Sequence, residues 1–319
     1  MTNAKIIGTG SYLPEKVITN SDLEKLVDTT NEWIVERTGI EERHVAAENQ
    51  LTSDLALEAS LEAIKSSGIN KNNIDAIIVA TTTPDRTFPS TATILQNKLG
   101  ISDSCFAFDI QAVCGGFVYA LTVANSFIKS GQIKTALIIG AETNSRIVDW
   151  KDRNTCVLFG DGAGAIVLQA TEEDNGIIRC ELHSDGQYGH LLNTTGGVSL
   201  NQQAGYIYME GKEIFKLATN KMAESAIKNL EKCGLTAADV SLLIPHQANK
   251  RIIDATARKL NLTDDKVIIT IQKQANTSAA TIPLALDYAT KNNRIKKNDI
   301  ILLEALGGGL VWGSIIIKW

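Results

Sequence analysis

The chain has 319 residues, enough to bury one large core or two moderate ones, and its 44% hydrophobic and 21% charged residues are those of an ordinary globular protein. No apolar run approaches the roughly 18 residues of a membrane helix, and a net charge of −5 argues against general nucleic-acid binding while leaving room for a local basic patch. The five cysteines (Cys105, Cys114, Cys156, Cys180, Cys233) are scattered, odd in number and without C-x-x-C spacing, so neither a disulfide framework nor a structural metal is expected.

In chain order, Met1 to Tyr12 reads as a strand, Lys5-Ile6-Ile7, followed by a glycine turn, with no basic-then-apolar leader; a cytoplasmic compartment is expected. From Ala63 the chain reads helix, GINKNNIDAIIVA, loop, and a second helix STATILQNKLGI. From Ala226 it reads helix, GLTAADVSLLIPH, then ANKRIIDATARKLNL. Setting Ile74 against Val240, an offset of 166 (240 − 74), places Ala80 opposite His246. The next blocks, FDIQAVCGGFVYALTVANSFIKSGQIKTALIIGAE and ITIQKQANTSAATIPLALDYATKNNRIKKNDIILLEA, repeat at an offset of 162 and set Cys114 opposite Asn276. FGDGAGAIVLQA and LGGGLVWGSIIIKW then close each half with a glycine-rich turn running into an apolar strand. Three ordered matches mark an internal duplication, with halves at 1–171 and 172–319. Apolar strands alternating with helices predict mostly parallel sheets covered on both faces. Two such halves about a pseudo-two-fold axis bring Cys114, Asn276 and His246 together.

Cys114 stands at the end of an apolar strand and is followed by Gly115-Gly116 and the first turn of an apolar helix. A helix N-terminus there is expected to lower the thiol pKa, and Gly-Gly lets a ligand approach. A small core cysteine is the plain alternative, and the other four cysteines, which lack this setting, are read as structural. His246 follows Pro245 at a strand end and precedes a helix start, a setting for a neutral imidazole that donates a hydrogen bond, or for a core histidine. Asn276 is equally compatible with a cap or an asparagine turn. Gly307-Gly308-Gly309 can supply a backbone N–H to an oxyanion or simply turn the chain. Gly160-Asp161-Gly162-Ala163-Gly164 imitates a dinucleotide fingerprint, but it runs into the strand-like Ala165-Ile166-Val167-Leu168 and is rejected as one.

With these residues in place the chain resembles the β-ketoacyl-acyl carrier protein synthase III family. IIGTGSYLPE, DLEKLVDTTNEWIVERTGIEERH, FGDGAGA, PHQANKRI, ANTSAA and LLEALGGGLVWGS carry the likeness nearly end to end. The resemblance implies an α/β, thiolase-like, five-layered αβαβα fold of two pseudo-symmetric halves, a homodimer, and a catalytic triad of Cys114, His246 and Asn276. It implies an acyl-CoA that acylates Cys114, an oxyanion hole from the N–H groups of Cys114 and Gly308, and decarboxylative attack by malonyl-acyl carrier protein, with no metal or redox cofactor. It places Trp33 and Arg153 about the CoA adenine, Arg37 at its phosphates, and Met209 and Phe215 along the tunnel. Phe88 closes the acyl pocket across a dimer and favours a short primer such as acetyl. Leu306 stands where Phe is common in the family, and Gln274-Ala275 where His-Gly is common. A carrier-protein docking face is expected from Lys216, Lys250, Arg251, Arg258 and Lys259, with Ile252, Ile253, Ala255 and Leu260 turned to the core. Thiolase, hydroxymethylglutaryl-CoA synthase and plant-type polyketide synthase are the rivals on the same fold. No second cysteine near the glycine run, and no glutamate pattern beside Cys114, supports the first two. A non-catalytic thioester-binding subunit is the rival from another class.

Overall fold

The computed structural model describes residues 2–319. The first half runs β1 (Asn3–Tyr12), the hairpin pair β2 (Lys16–Thr19) and β3 (Glu42–Val45) enclosing α1 (Asn20–Leu23) and α2 (Asn31–Thr38), and α3 (Thr52–Ser67). It continues through β4 (Ala76–Ala80), α4 (Thr91–Leu99), β5 (Phe106–Ile110), α5 (Gly116–Lys129), β6 (Thr135–Thr143), α6 (Arg153–Cys156) and β7 (Asp161–Thr171). The second half comprises β8 (Gly176–Ser184), β9 (Leu192–Thr194), α7 (Val198–Asn201), β10 (Ile207–Met209), α8 (Gly211–Glu231) and β11 (Leu242–Pro245). After these come α9 (Lys250–Lys259), α10 (Ile271–Gln274), α11 (Thr281–Lys291), β12 (Ile300–Gly307) and β13 (Val311–Lys318).

Two sheets dominate. The first has the order β1-β7-β6-β4-β5 and draws every strand from residues 3–171; the second has the order β11-β12-β13-β8. The orders superpose strand for strand, β4-β6-β7-β1 on β11-β12-β13-β8, and even β5 has an echo, because Val267 forms a parallel bridge with Leu243 of β11. The sequence repeat is therefore a structural repeat. Alternation along the strands assigns the layers. Ile78, Ala136, Ile138 and Ile166 face inward with Ile244, Ile301, Leu303 and Ile315 onto α5 and α11, the central helical layer. Ile77, Val79, Leu137 and Ile139 face out onto α3 and α4, and Leu243, Leu302 and Ile316 face out onto α8 and α9. The result is the thiolase-like five-layered αβαβα arrangement.

The sheets are mixed and not mostly parallel. Helical crossovers make β4–β5, β4–β6 and β11–β12 parallel. The remaining pairs, β6–β7, β1–β7, β12–β13 and β13–β8, are antiparallel. Gly-rich turns such as Gly307-Gly308-Gly309 return the chain at once, without the dozen residues that a parallel crossover needs. No helix among the described residues is long and apolar enough to cross a membrane.

Candidate active site

At the strand ends where the halves meet lies a cavity of about 750 Å³. Cys114, His246 and Asn276 all line it, together with Trp33, Arg37, Met209, Phe215 and Leu306. The duplication is what brings them together: Cys114 lies within the turn Val113–Gly115 that enters α5, and Asn276 lies just before the equivalent turn Ser278–Ala280 that enters α11. A shallower cleft of about 740 Å³ beside Tyr12, Lys16 and Gln50 contains neither cysteine nor histidine.

Cys114 is the middle residue of a single tight helical turn, Val113–Gly115, leading into α5. The turn demands strained backbone. Val113 takes φ 47°, a left-handed conformation that β-branched residues rarely adopt. Close packing explains the glycines around it: a Cβ at Gly116 would stand 3.1 Å from the Cβ of Ala80, and one at Gly307 would stand 2.7 Å from the Cys114 amide nitrogen. Gly308 instead backs onto Leu192, where a Cβ would come 2.8 Å from the carbonyl oxygen.

The expectation of a lowered thiol pKa is overturned. Burial pushes Cys114 up to about 12, and the negative Glu142 pushes the same way, against a weaker pull from the Ser278 hydroxyl and the Cys114 amide. Desolvation disfavours the thiolate more than the helix terminus favours it. Cys105, Cys156 and Cys180 are raised by burial to about 11, and Cys233 is raised as well. Acidity does not single out Cys114 among these cysteines; its place in the cavity does.

His246 directly follows β11, its N–H donating to the Glu304 carbonyl at 2.8 Å. Only 2% of it is exposed, and burial depresses its pKa to about 3, so the imidazole is neutral. Its Nδ1 lies 2.6 Å from Thr281 Oγ1, whose hydroxyl also reaches the Ser278 carbonyl at 3.0 Å. That hydroxyl has one proton. Given to Ser278 O, it makes Nδ1–H the donor to Thr281 and Nε2 an acceptor; given to Nδ1, it puts the imidazole proton on Nε2, the tautomer able to donate to a ligand oxygen.

Asn276 is held by its backbone between Leu158 and Gly160, its N–H donating to Leu158 O at 2.9 Å and its carbonyl accepting from Gly160 N at 3.1 Å. Its Oδ1 accepts from the Ser278 amide at 2.9 Å, which fixes the side chain and leaves the NH₂ as the group to be offered to a ligand. Ala275 before it takes φ 54°, ψ −163°, a region that is essentially glycine's.

At the mouth, two guanidinium groups lie over the Trp33 ring, Arg153 at 5.0 Å and Arg37 at 5.9 Å from its centroid. Arg153 stands outside the cavity lining and donates to Asp28 O at 2.7 Å. Asn249 caps α9 and donates to Arg37 O at 2.9 Å, tying α2 to the histidine-bearing segment. Phe88 is 82% exposed and does not reach the cavity of its own chain. Lys216 and Arg251 line the mouth, and Arg251 lies 5.6 Å over the Phe215 ring. Arg251, Arg258 and Lys259 are exposed on α9 and Ile252, Ile253 and Leu260 are buried, while Ala255 is only half-buried. Lys250 is compensated by an ion pair with Asp254 at 2.8 Å, Lys216 by one with Glu213 at 2.8 Å, and Lys259 bonds Asn220. Among the described residues no group of three or more His, Cys, Asp or Glu side chains is placed to hold a metal ion.

Four residues around the site escaped the sequence reading: Glu142, Ser278, Thr281 and Glu304. The offset of 162 that pairs Cys114 with Asn276 in the sequence also pairs Glu142 with Glu304 (304 − 142), but the strands place these two glutamates at different register positions.

Comparison with known proteins agrees over the whole chain. The family profile described as 3-oxoacyl-[acyl-carrier-protein (ACP)] synthase III matches residues 108–186, and that of its C-terminal part matches residues 230–319. A β-ketoacyl-[acyl-carrier-protein] synthase III of Neisseria meningitidis serogroup A is 55% identical over 321 aligned positions, covering 100% of both chains. One from Ehrlichia canis is 54% identical over 319, again covering 100% of both. The crystal structure of 3-oxoacyl-[acyl-carrier-protein] synthase III from Aquifex aeolicus superposes with a TM-score of 0.95 at 49% identity, over 99% of this chain and 100% of that one.

Proposed function

The chain belongs to the β-ketoacyl-acyl carrier protein synthase III family of condensing acyltransferases in fatty-acid synthesis, and on that premise we propose that it joins a short acyl-CoA primer to malonyl-acyl carrier protein through an acyl-thioester on Cys114. The products are 3-oxoacyl-carrier protein, CoA and carbon dioxide. The single observation that carries this reading is the convergence of Cys114, His246 and Asn276 in one cavity.

In the first half-reaction the Cys114 sulfur attacks the thioester carbonyl of the acyl-CoA, and the N–H groups of Cys114 and Gly308 take the tetrahedral oxyanion. Trp33 and Arg153 hold the adenine, Arg37 meets the phosphates, and the pantetheine follows Met209 and Phe215 inward. CoA leaves and malonyl-carrier protein enters. Loss of carbon dioxide builds negative charge on the thioester oxygen, which Nε2–H of His246 and the Asn276 NH₂ receive. The neutrality of His246 supports this assignment, since it can donate without holding a competing proton. The enolate carbon then attacks the acyl-cysteine. No cofactor enters these steps.

The chain works in this reading as a homodimer. β5 is the edge strand of the first sheet, and Phe106 at its start is 43% exposed. Asp109 of β5 accepts from the Thr91 and Ala92 amides at 2.7 Å, which places the Phe88 loop beside that edge. Pairing of two β5 edges covers an otherwise open ladder and carries Phe88 toward the partner's acyl pocket. That favours acetyl- over longer acyl-CoA, with Leu306 opposing by its smaller bulk.

The test is carbon dioxide release from malonyl-carrier protein with and without acetyl-CoA, in wild type and in His246→Ala and Asn276→Ala. Release should require acetyl-CoA, and each variant should lose about 100- to 1000-fold in condensation while keeping most of the acyl transfer. No acetyl-CoA-dependent release, or equal loss of both half-reactions, contradicts the assignment.

A further inference from the structure

His246 has one ring nitrogen for the protein and one for the cavity. Nδ1 lies 2.6 Å from Thr281 Oγ1, while Nε2 makes no hydrogen bond among the described residues. Because His246 lines the cavity, Nε2 is the nitrogen left for a ligand. What it can do there is decided behind the ring. Burial keeps the imidazole neutral, with a single proton to place. A backbone amide at Nδ1 would fix that proton on Nε2, and a carbonyl would fix it on Nδ1. A hydroxyl admits both, so the bond lengths and the other partners of Thr281 decide.

Thr281 is the first residue of α11, 1% exposed, and follows the turn Ser278–Ala280. Its hydroxyl has two neighbours, His246 Nδ1 at 2.6 Å and Ser278 O at 3.0 Å. Hydroxyl donors bond at about 2.5–3.0 Å, and N–H donors bond oxygen at about 2.7–3.2 Å. The 2.6 Å contact falls in the hydroxyl range and short of the N–H range, whereas 3.0 Å is the far limit for the hydroxyl. Ser278 O also has a donor of its own, because it accepts from the Thr281 amide in the same turn. Turning the hydroxyl to Nδ1 therefore leaves that carbonyl paired. Both observations place the Thr281 proton on the bond to Nδ1.

The repeat shows that this contact belongs to the fold. The offset of 165 that matches Val113–Gly115 with Ser278–Ala280 sets Gly116, first residue of α5, opposite Thr281, and the offset of 166 sets Ala80 opposite His246. In the first half a Cβ on Gly116 would stand 3.1 Å from the Ala80 Cβ. The second half puts a threonine and a histidine in those places, and the close approach of helix start to strand end becomes a short hydrogen bond.

We propose that Thr281 is the positioning residue that fixes His246 as a hydrogen-bond donor: its hydroxyl donates to Nδ1 and confines the imidazole proton to Nε2. His246 then presents an N–H and no lone pair to the cavity. It serves the oxygen that gains charge in decarboxylation and does not take the Cys114 proton during acyl transfer.

The proposal rests on the reading of His246 as that donor, and two measurements separate the ideas. ¹⁵N NMR of protein labelled at its four histidines, with His246 assigned by the signals that His246→Ala removes, should show Nε2 protonated and Nδ1 bare. A proton on Nδ1, or on both nitrogens, overturns the proposal without any change at Thr281. Thr281→Val keeps the shape of the side chain and loses the hydroxyl. It should lower kcat for condensation about 10- to 100-fold, the scale of losing a group that orients a histidine. The KM for malonyl-carrier protein and single-turnover acylation by acetyl-CoA should stay nearly unchanged. Thr281→Ser keeps the hydroxyl and should restore most of the rate. A full rate in Thr281→Val, a Thr281→Ser as slow as Thr281→Val, or a joint loss of both half-reactions overturns the role of Thr281. Condensation by His246→Ala at the wild-type rate overturns the reading of His246 itself.

Discussion

Glu304 offers the sharpest test of the energetics. It lies on β12 with 1% exposure, facing the same way as Leu302 and Leu306, and neither carboxyl oxygen has a hydrogen-bond partner among the described residues. Desolvation raises its pKa from 4.5 to about 8, so the folded protein holds it as the neutral acid. The sign follows from proton linkage. Below the unfolded pKa both states bind the proton and nothing is lost. Between the two values only the folded state binds it, so stability falls as pH rises, and the fall ends above the folded pKa. At 1.36 kcal/mol per unit, the loss between pH 6 and pH 8 is about 2 kcal/mol. Glu304→Gln mimics the neutral acid in shape and polarity but cannot ionise, in either state. Urea unfolding at fixed protein concentration, run at pH 6, 7 and 8, should show wild type losing about 2 kcal/mol relative to the variant. Equal pH dependence of the two proteins, or a wild type that gains on the variant, refutes the idea of a protonated Glu304.

Two further outcomes follow from the backbone and the surface. Ala275→Gly removes about 3 kcal/mol of strain at φ 54°, against roughly 0.4–1 kcal/mol for the freer unfolded chain and about 0.8 kcal/mol for the lost methyl burial. The variant should gain about 1 kcal/mol, roughly 2 °C in Tm by differential scanning calorimetry; a lower Tm contradicts the strain argument. Arg258→Glu, on the exposed face of α9 and outside the cavity lining, should raise the KM for malonyl-carrier protein about 2- to 5-fold, at 0.5–1 kcal/mol per charge, and leave acylation by acetyl-CoA nearly intact. Loss of both half-reactions together places docking elsewhere.

Much of this site is legible in the amino-acid order because the chain repeats. The repeat sets Ala80 opposite His246, and strands β4 and β11 occupy the matching places; it also sets Cys114 opposite Asn276, but there the turns before α5 and α11 match three residues further on, Val113–Gly115 with Ser278–Ala280, an offset of 165 (278 − 113), so Asn276 precedes its turn while Cys114 lies within one. The Gly160–Gly164 run reads as a turn into a strand, and β7 begins at Asp161. The buried and exposed faces of α9 follow from its helical period. Strand direction was not legible, because a glycine-rich turn gives no count of where the chain goes next. Nor were the bends at Val113, Ala275 and Ser278, all at positive φ, because none is a glycine and the surrounding packing imposes the conformation. The thiol pKa failed for a related reason: a helix terminus is visible in sequence, but complete burial belongs to the assembled fold.

The two glutamates show how far symmetry alone carries. Glu142 and Glu304 match in the sequence repeat and are both buried, but the sheets set them apart: Glu142 lies two residues beyond Gly140, the partner of Ala80, in phase with the inward Ile138, whereas Glu304 pairs with Pro245 of β11 in phase with the outward Leu302. The loops after the neighbouring strands differ as well. In the first half Ala80 is followed by Thr81-Thr82-Thr83, which turn two amides and three hydroxyls onto Glu142. In the second half the offset of 166 puts Gln247-Ala248-Asn249 in their place. Gln247 donates to Pro245 O and Ile268 O and accepts from Thr270 N. Asn249 caps α9 and donates to Arg37 O. Those donors are committed to holding His246 and the cavity mouth, and none of them reaches Glu304. One carboxyl is thereby ringed by donors and its sequence counterpart is left neutral and without a partner, a division made by the sheet face each occupies together with the three residues of the loop beside it.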